Sequence, residues 1–278
     1  MDVSANNAVG RLAHRPVVGI LHPGAMGAAL GSALKSRAGA VIWADAGRTH
    51  ATAKRAELAD LVAVPDVPAL ARRCQLIISI CPPHAALEVA EQVAAGLAEV
   101  AVEDRPLFVD ANAVSPATVR RVAGLLGEDR VVDGAVIGPP AWERGTSVLW
   151  LAGRHAAPVA ELFAGSPFDA RVLGAELGSA SALKACFALQ SKAVPALWLA
   201  LAEAAEKAGV TSALRGELAR VGTDLTEKLD SIAARVHSKA WRWAGEMDEA
   251  ADTLAELGVP EGFSRAAAET YRRHNGRS

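Results

Sequence analysis

Apolar residues fall in two regimes along this chain. Up to about residue 174, short continuous apolar runs alternate with longer stretches of helical period. The runs Val17–Leu21, Ala40–Trp43, Leu76–Ile80 and Leu107–Asp110 have the length and β-branching of buried strands, and Val131–Pro140 reads as another strand and turn. Ser147–Leu151 reads as a hairpin partner of that last strand. Helices are predicted over Ala28–Lys35, at either side of a short apolar segment, Leu61–Val64, over 85–98, and after Pro116, with Ser115 as N-cap. Strands alternating with helices imply a mostly parallel sheet. From about Leu177 Ala/Leu helical period continues to the end. It predicts a long helix from Gly178 to about Ala208, kinked at Pro195, then helices over 211–236, 239–257 and 261–274. The fold class is therefore α/β over 16–174, followed by an all-helical domain over 175–278. Residues 1–15 have no apolar core, so they read as a disordered lead-in, not a signal peptide.

Composition narrows the class of partner. The chain has 278 residues, enough for two domains, and a formal net charge of -2, which gives no basic field for nucleic acid. Cys74, Cys81 and Cys186 form neither a C-x-x-C pair nor a disulfide framework, and read as small buried thiols of a reducing, cytoplasmic compartment. There is no metal-ligand motif. No run reaches the uninterrupted apolar length of a membrane span, and the longest, near Val194–Ala205, is broken by Pro195. A small-molecule substrate is the expected partner.

The candidate chemistry sits at the ends of the predicted strands. After Val17–Leu21 comes a small-residue turn, His22-Pro23-Gly24-Ala25-Met26-Gly27, and then a helix. Strand, glycine turn and helix open a dinucleotide-binding βαβ unit, where backbone N–H groups and a helix N-terminus meet a pyrophosphate. Gly24 and Gly27 match the last two glycines of G-x-G-x-x-G, and His22 stands at the first. Asp45 lies about where an acid would bind the ribose of NAD(H), ~20 residues on, whereas Arg48 and Thr49 suit the 2′-phosphate of NADP(H). Cys81-Pro82-Pro83 and Asn112 close two further strands on the edge where ligands gather. Lys184, with Ala180 and Ala188 on the same helix face, has room for a ligand and is a candidate acid/base. Ser181 and Lys184 also match S-x-x-K, the nucleophile pair of serine acyl enzymes, without that class's companion motifs.

The order of these motifs resembles the β-hydroxyacid dehydrogenase and 6-phosphogluconate dehydrogenase superfamily, in the branch with a phosphogluconate dehydrogenase-like C-terminal domain. The resemblance runs from residue 16 to 274. Val18–Gly27 is similar to the family's cofactor turn. Asp110–Pro116 resembles its D-x-S-T-x-x-P segment, and Asp133–Gly138 its D-x-P-V-S-G-G substrate loop. Gly178 and Lys184 keep the spacing of G-x-G-x-x-x-K, in which the lysine is the catalytic acid/base. The chain departs from the pattern at Ile137 for the loop serine, Pro139 for its last glycine, Ala180 for the second glycine and Ala188 for the asparagine after the lysine. The resemblance implies a Rossmann-like N-terminal domain and hydride transfer between nicotinamide and a carbonyl or alcohol carbon, with NADP(H) favoured by Gly47-Arg48-Thr49. His22, Pro23, Gly24, Ala25, Met26, Cys81, Pro82, Pro83 and Asn112 would hold the cofactor. Ser115, Ile137, Gly138, Pro139, Trp241, Trp243 and Met247 would line the substrate. It also implies a homodimer through the helical domain. Imine reduction by NADPH is the alternative, and a non-catalytic dinucleotide sensor is the alternative of another class.

Overall fold

The structure is a computed structural model that describes residues 12, 14–236 and 239–274. Most of the lead-in expected over 1–15 lies outside these residues. Its last residue is tied down, because the Arg15 guanidinium donates to the Ala38 carbonyl at 2.9 and 3.2 Å. The elements in order are β1 (Val17–Leu21), α1 (Ala25–Leu34), β2 (Ala40–Ala44), α2 (His50–Leu58), β3 (Val62–Val64), α3 (Val67–Ala71), β4 (Leu76–Ser79), α4 (Ala86–Gly96), β5 (Leu107–Asp110), α5 (Pro116–Leu126), β6 (Val131–Ile137), β7 (Val148–Ala152), α6 (Ala156–Leu162) and β8 (Asp169–Gly174). The helical part follows as α7 (Ser179–Ala188), α8 (Val194–Lys207), α9 (Thr211–Arg220), α10 (Leu225–Val236), α11 (Ala240–Glu256) and α12 (Gly262–His274).

All eight strands join one sheet in the order β3-β2-β1-β4-β5-β6-β7-β8. Pairing is parallel from β3 to β6; β7 runs antiparallel to β6, with Asp133 opposite Ala152 and Ile137 opposite Val148, and β8 is parallel to β7. Strand residues alternate between two cores. Val18, Ile20, Trp43, Ile78 and Val109 pack with α1 and α6 on one face; Leu21, Ile42, Ile77, Phe108 and Val131 pack with α3, α4 and α5 on the other. Burial on both faces explains why the central strands read as unbroken apolar runs. β8 and α6 carry no such signal. Asp169, Arg171, Val172 and Leu173 are exposed on the edge strand, so no buried alternation marks it.

The chain divides into two compact units, Met1–Lys184 and Ala185–Ser278. The division falls within α7, later than the sequence boundary at 174/175. The helical unit packs α7, α8, α10, α11 and α12 around Ala196, Ile232, Trp243, Met247, Ala268 and Tyr271. The predicted kink takes a different form. Leu189–Ala193 forms a π-helical turn ahead of α8, and Pro195 sits in the first turn of α8. A proline ring clashes with the carbonyl four residues back, and a widened turn relieves that clash. The helix expected over 211–236 is broken at Gly222, whose φ of 79° ends α9, and Asp224 then caps α10 by accepting from Thr226 and Glu227 N–H. The helical run Ser179–Lys207 is long and apolar enough to cross a membrane by length and composition. It carries Lys184 and Lys192, and Lys192 forms a buried ion pair with Glu246 at 2.7 Å.

Candidate active site

β1 delivers the chain into a turn that only certain residues can make. His22 has φ 64°, the left-handed region in which glycine is the default, so the family's first glycine is replaced without a change of backbone shape. Gly24 N–H donates to the His22 carbonyl at 2.7 Å, and Gly24 then opens α1 with no side-chain cap. A Cβ on Gly27 would lie 2.5 Å from the His22 oxygen, so α1 can sit this close to the turn only through a glycine. A Cβ on Gly24 would meet nothing within 4 Å. An uncapped helix N-terminus with open space over its cap residue has the features a pyrophosphate requires, so the turn fits a dinucleotide.

The loops after β2, β4 and β5 gather beside this turn. Asp45 to Arg48 is a tight turn, with Arg48 N–H donating to the Asp45 carbonyl at 3.1 Å and Gly47 at φ 71°. Asp45 is exposed, and the Thr49 hydroxyl is committed to capping α2 at Thr52 N–H. Arg48 is half-buried, and burial lowers its guanidinium from the ordinary value. Burial, and then the Arg48 charge, lower His22 to about 4, so its imidazole is neutral at pH 7. Buried Nδ1 of His22 and Nε of Arg48 have no hydrogen-bond partner. Asn112 clamps the next two strand ends: its Oδ1 accepts from Cys81 N–H at 2.6 Å and its Nδ2 donates to the Ser79 hydroxyl at 3.2 Å. Burial pushes the Cys81 thiol up to about 12, which leaves it uncharged. Pro82 and Pro83 follow, and Pro83 opens a 3₁₀ turn.

Lys184 is placed by β6. Asp133, fully buried in the middle of that strand, accepts from Ala180 N–H at 2.8 Å and Ser181 N–H at 3.0 Å with one oxygen, and from the Ser181 hydroxyl at 2.6 Å with the other. It thus caps the N-terminus of α7 from β6. Three residues on along β6, the Val136 carbonyl accepts from Lys184 Nζ. Gly178, at φ 99°, lets the chain pass Pro116, where a Cβ would come within 2.9 Å. Buried Ala180 packs on Ala135 and Ala152, so its lack of bulk serves the seating of α7. The Ser181 hydroxyl is bound to Asp133, which gives S-x-x-K a structural explanation instead of a nucleophile pair. Beyond β6, Ile137 is half-buried and Gly138 and Pro139 are exposed. Gly138 has φ 130° and the Ser147 hydroxyl donates to the Pro139 carbonyl, which fixes the loop. Ser115 is buried, with its hydroxyl capping α5 at Thr118 N–H.

The helical unit uses two of its three candidate residues internally. Trp243 is buried edge-on to Tyr271, with centroids 5.4 Å apart, and Met247 is fully buried, its carbonyl accepting from the Ser264 hydroxyl at 2.8 Å. Both pack in the unit's own core; Trp241 is exposed. Cys186 is also exposed, against the expectation of buried thiols, whereas Cys74 and Cys81 are buried. Sequence reasoning missed the anchoring role of Asp133 and the Lys192–Glu246–Arg242 network. A lone acid inside the apolar strand Val131–Ile137 was the available signal for the first.

Residues 205–274 match a domain of unknown function, DUF1932. An uncharacterized 28.5 kDa protein from Methanothermus fervidus is 29% identical over 170 residues, spanning 60% of this chain and 62% of that protein. Among solved structures, MTH1747, a conserved protein of unknown function described as structurally similar to 3-hydroxyacid dehydrogenases, is 27% identical, with 93% and 96% of the two chains covered and a TM-score of 0.64. Mycobacterium tuberculosis 3-hydroxyisobutyrate dehydrogenase, solved with L-serine, shares the fold at 20% identity, 95% and 94% coverage and a TM-score of 0.65. So does the Aspergillus terreus reductive aminase solved with NADPH and ethyl levulinate, at 20% identity, 95% coverage of each chain and a TM-score of 0.54. The chain thus shares the two-domain fold of these dehydrogenase-like and reductase structures, with the DUF1932 match confined to its helical part.

Proposed function

We propose that this protein is an NAD(P)-dependent oxidoreductase that transfers a hydride between nicotinamide and a carbonyl or alcohol carbon, with Lys184 as the acid/base and NADP(H) as the preferred cofactor. The observation that carries the reading is the placement of Lys184. Its Nζ is held at the carboxyl end of β6, on the sheet edge that also carries the glycine turn, Arg48 and Asn112. That edge is where ligands bind in open α/β sheets. A bound nicotinamide would supply or accept the hydride. His22 to Met26 would hold the pyrophosphate, and Cys81–Pro83 and Asn112 would shape the floor beneath the nicotinamide half. In the reducing direction Lys184 Nζ gives its proton to the carbonyl oxygen as hydride reaches the carbon, and in the oxidising direction it takes the proton from the alcohol. The Val136 carbonyl accepts from the ammonium and so fixes where it stands. Ser115 and the 137–139 loop would border the substrate, the loop offering backbone and apolar surface in place of the family's serine. That absence favours ketones or imines without a carboxylate over small hydroxyacids, and keeps imine reduction as the second reading.

The test joins binding and turnover. The six tryptophans make nicotinamide binding readable by fluorescence energy transfer. Binding of NADPH, followed by turnover on a ketone, imine or hydroxyacid panel, supports the reading. Lys184→Ala is expected to cut kcat at least 100-fold with cofactor affinity unchanged. Cofactor binding without turnover on any class would hand the protein to the sensor alternative.

A further inference from the structure

We infer that His22 acts with Arg48 as a two-residue clamp for the 2′-phosphate of the adenosine ribose, so that the residue replacing the family's first glycine is itself a determinant of NADP(H) choice. The inference rests on the proposed dinucleotide reading. Two buried nitrogens on adjacent loops, His22 Nδ1 after β1 and Arg48 Nε after β2, are left without partners. Buried donors in folded proteins are almost always paired, so two orphans on neighbouring loops mark a site for a missing acceptor. Arg48 makes no ion pair among the described residues, and the loops that carry the two groups leave the carboxyl ends of β1 and β2, which pair in parallel with Ile20 opposite Trp43.

The surrounding backbone points the same way. Arg48 ends a turn fixed by Gly47 and by the Asp45–Arg48 hydrogen bond, so the guanidinium is not free to wander. Asp45, the residue that would favour an unphosphorylated ribose, is exposed. His22 tolerates a left-handed conformation that the fold assigns to glycine. Such a conformation is strained for a residue with a Cβ, and a role for the imidazole would account for its presence there. Neutral His22 can place its proton on Nδ1 and donate to one phosphate oxygen, while Arg48 supplies the charge and a second donor. A ribose hydroxyl offers neither the charge nor the oxygens to satisfy both nitrogens.

The experiment is calorimetric titration at pH 8 of the full chain with NADPH, NADH, 2′-AMP and 5′-AMP, on wild type, His22→Gly, Arg48→Ala and the double variant. His22→Gly keeps the turn and removes the imidazole. It is expected to weaken NADPH and 2′-AMP about 10-fold, the scale of one charge-assisted hydrogen bond, with NADH and 5′-AMP within twofold. Arg48→Ala is expected to weaken NADPH about 100-fold, and the double variant to bind NADPH and NADH equally. Equal loss or gain for both cofactors in His22→Gly would make His22 a turn residue only and overturn the clamp. Wild type preferring NADH would overturn the clamp and leave dinucleotide binding standing. Wild type binding no nucleotide would overturn the clamp and the proposed function together.

Discussion

Asp133 allows the sharpest test of how this fold holds its lysine. Truncation and neutralisation should separate. In Asp133→Ala, two backbone N–H groups of α7 and the Ser181 hydroxyl lose their acceptor in a fully buried place. Each unsatisfied buried donor costs about 1–3 kcal/mol, and the hydroxyl can turn elsewhere, so the variant should lose about 3–5 kcal/mol. Asp133→Asn has the same shape. Its oxygen can keep both N–H bonds, and its amide can donate to a Ser181 hydroxyl that rotates to accept. It gives up the charge, and burial raises the Asp133 carboxyl above its ordinary value against the opposing hydrogen bonds. Folding therefore does not favour the charge over the neutral form, and Asp133→Asn should cost no more than about 1 kcal/mol.

Urea unfolding followed by tryptophan fluorescence and far-ultraviolet circular dichroism measures both variants. A double-mutant cycle with Ser181→Ala should show about 1 kcal/mol of coupling, because the hydroxyl's partner is already gone in Asp133→Ala. The pH dependence supplies a second check. A folded carboxyl raised above its unfolded value contributes stability that is present below the unfolded value and lost as pH rises through the folded one. Wild type should thus gain on Asp133→Asn as the solution is acidified. A loss below 1 kcal/mol in Asp133→Ala, or equal losses in the two variants, would refute the capping argument. Turnover should follow the same order, since Lys184 hangs from the helix that Asp133 fixes.

The glycine turn makes two opposite predictions. Gly24→Ala should cost no more than about 1 kcal/mol, because its Cβ meets open space, yet weaken nucleotide binding at least 10-fold in a titration. Gly27→Ala should cost about 2–3 kcal/mol in urea unfolding, because its Cβ lies against the His22 carbonyl. The lowered His22, at about 4, adds stability above its unfolded value that is lost as pH falls toward the folded one. Discounted for partial exposure, wild type should lose about 1–2 kcal/mol between pH 7 and pH 4 relative to His22→Asn, which keeps a left-handed turn. In the helical unit, Glu246→Ala strands buried Lys192 and should cost about 3–5 kcal/mol by thermal unfolding. The paired change Lys192→Met with Glu246→Leu should recover most of that loss.

Which parts of this protein were legible depended on whether one residue's role is written in its own neighbourhood. The buried strands declared themselves because each apolar run is a property of the run, and Ser115 before Pro116 is a local cap. The glycine turn was legible for the same reason: φ preferences act on single residues, and His22 adopts the conformation that the motif requires of a glycine. Edge strand β8 was not legible, since an exposed edge has no buried face to set a pattern. Lys184 was legible as a residue of interest only through spacing. Its position depends on Asp133 and Val136, which bond Ser181 and Lys184 of the same helix from one strand, each pair 48 residues apart along the chain. Nothing in local periodicity reports a hydrogen bond of that separation. The stray acid in an apolar strand and the serine three residues before the lysine are its two visible ends, and each has a commoner explanation alone. Their meeting converts a loose motif into a mechanical statement: β6 holds α7 by its N-terminus and by its lysine, so Lys184 is as rigid as the sheet that carries the glycine turn.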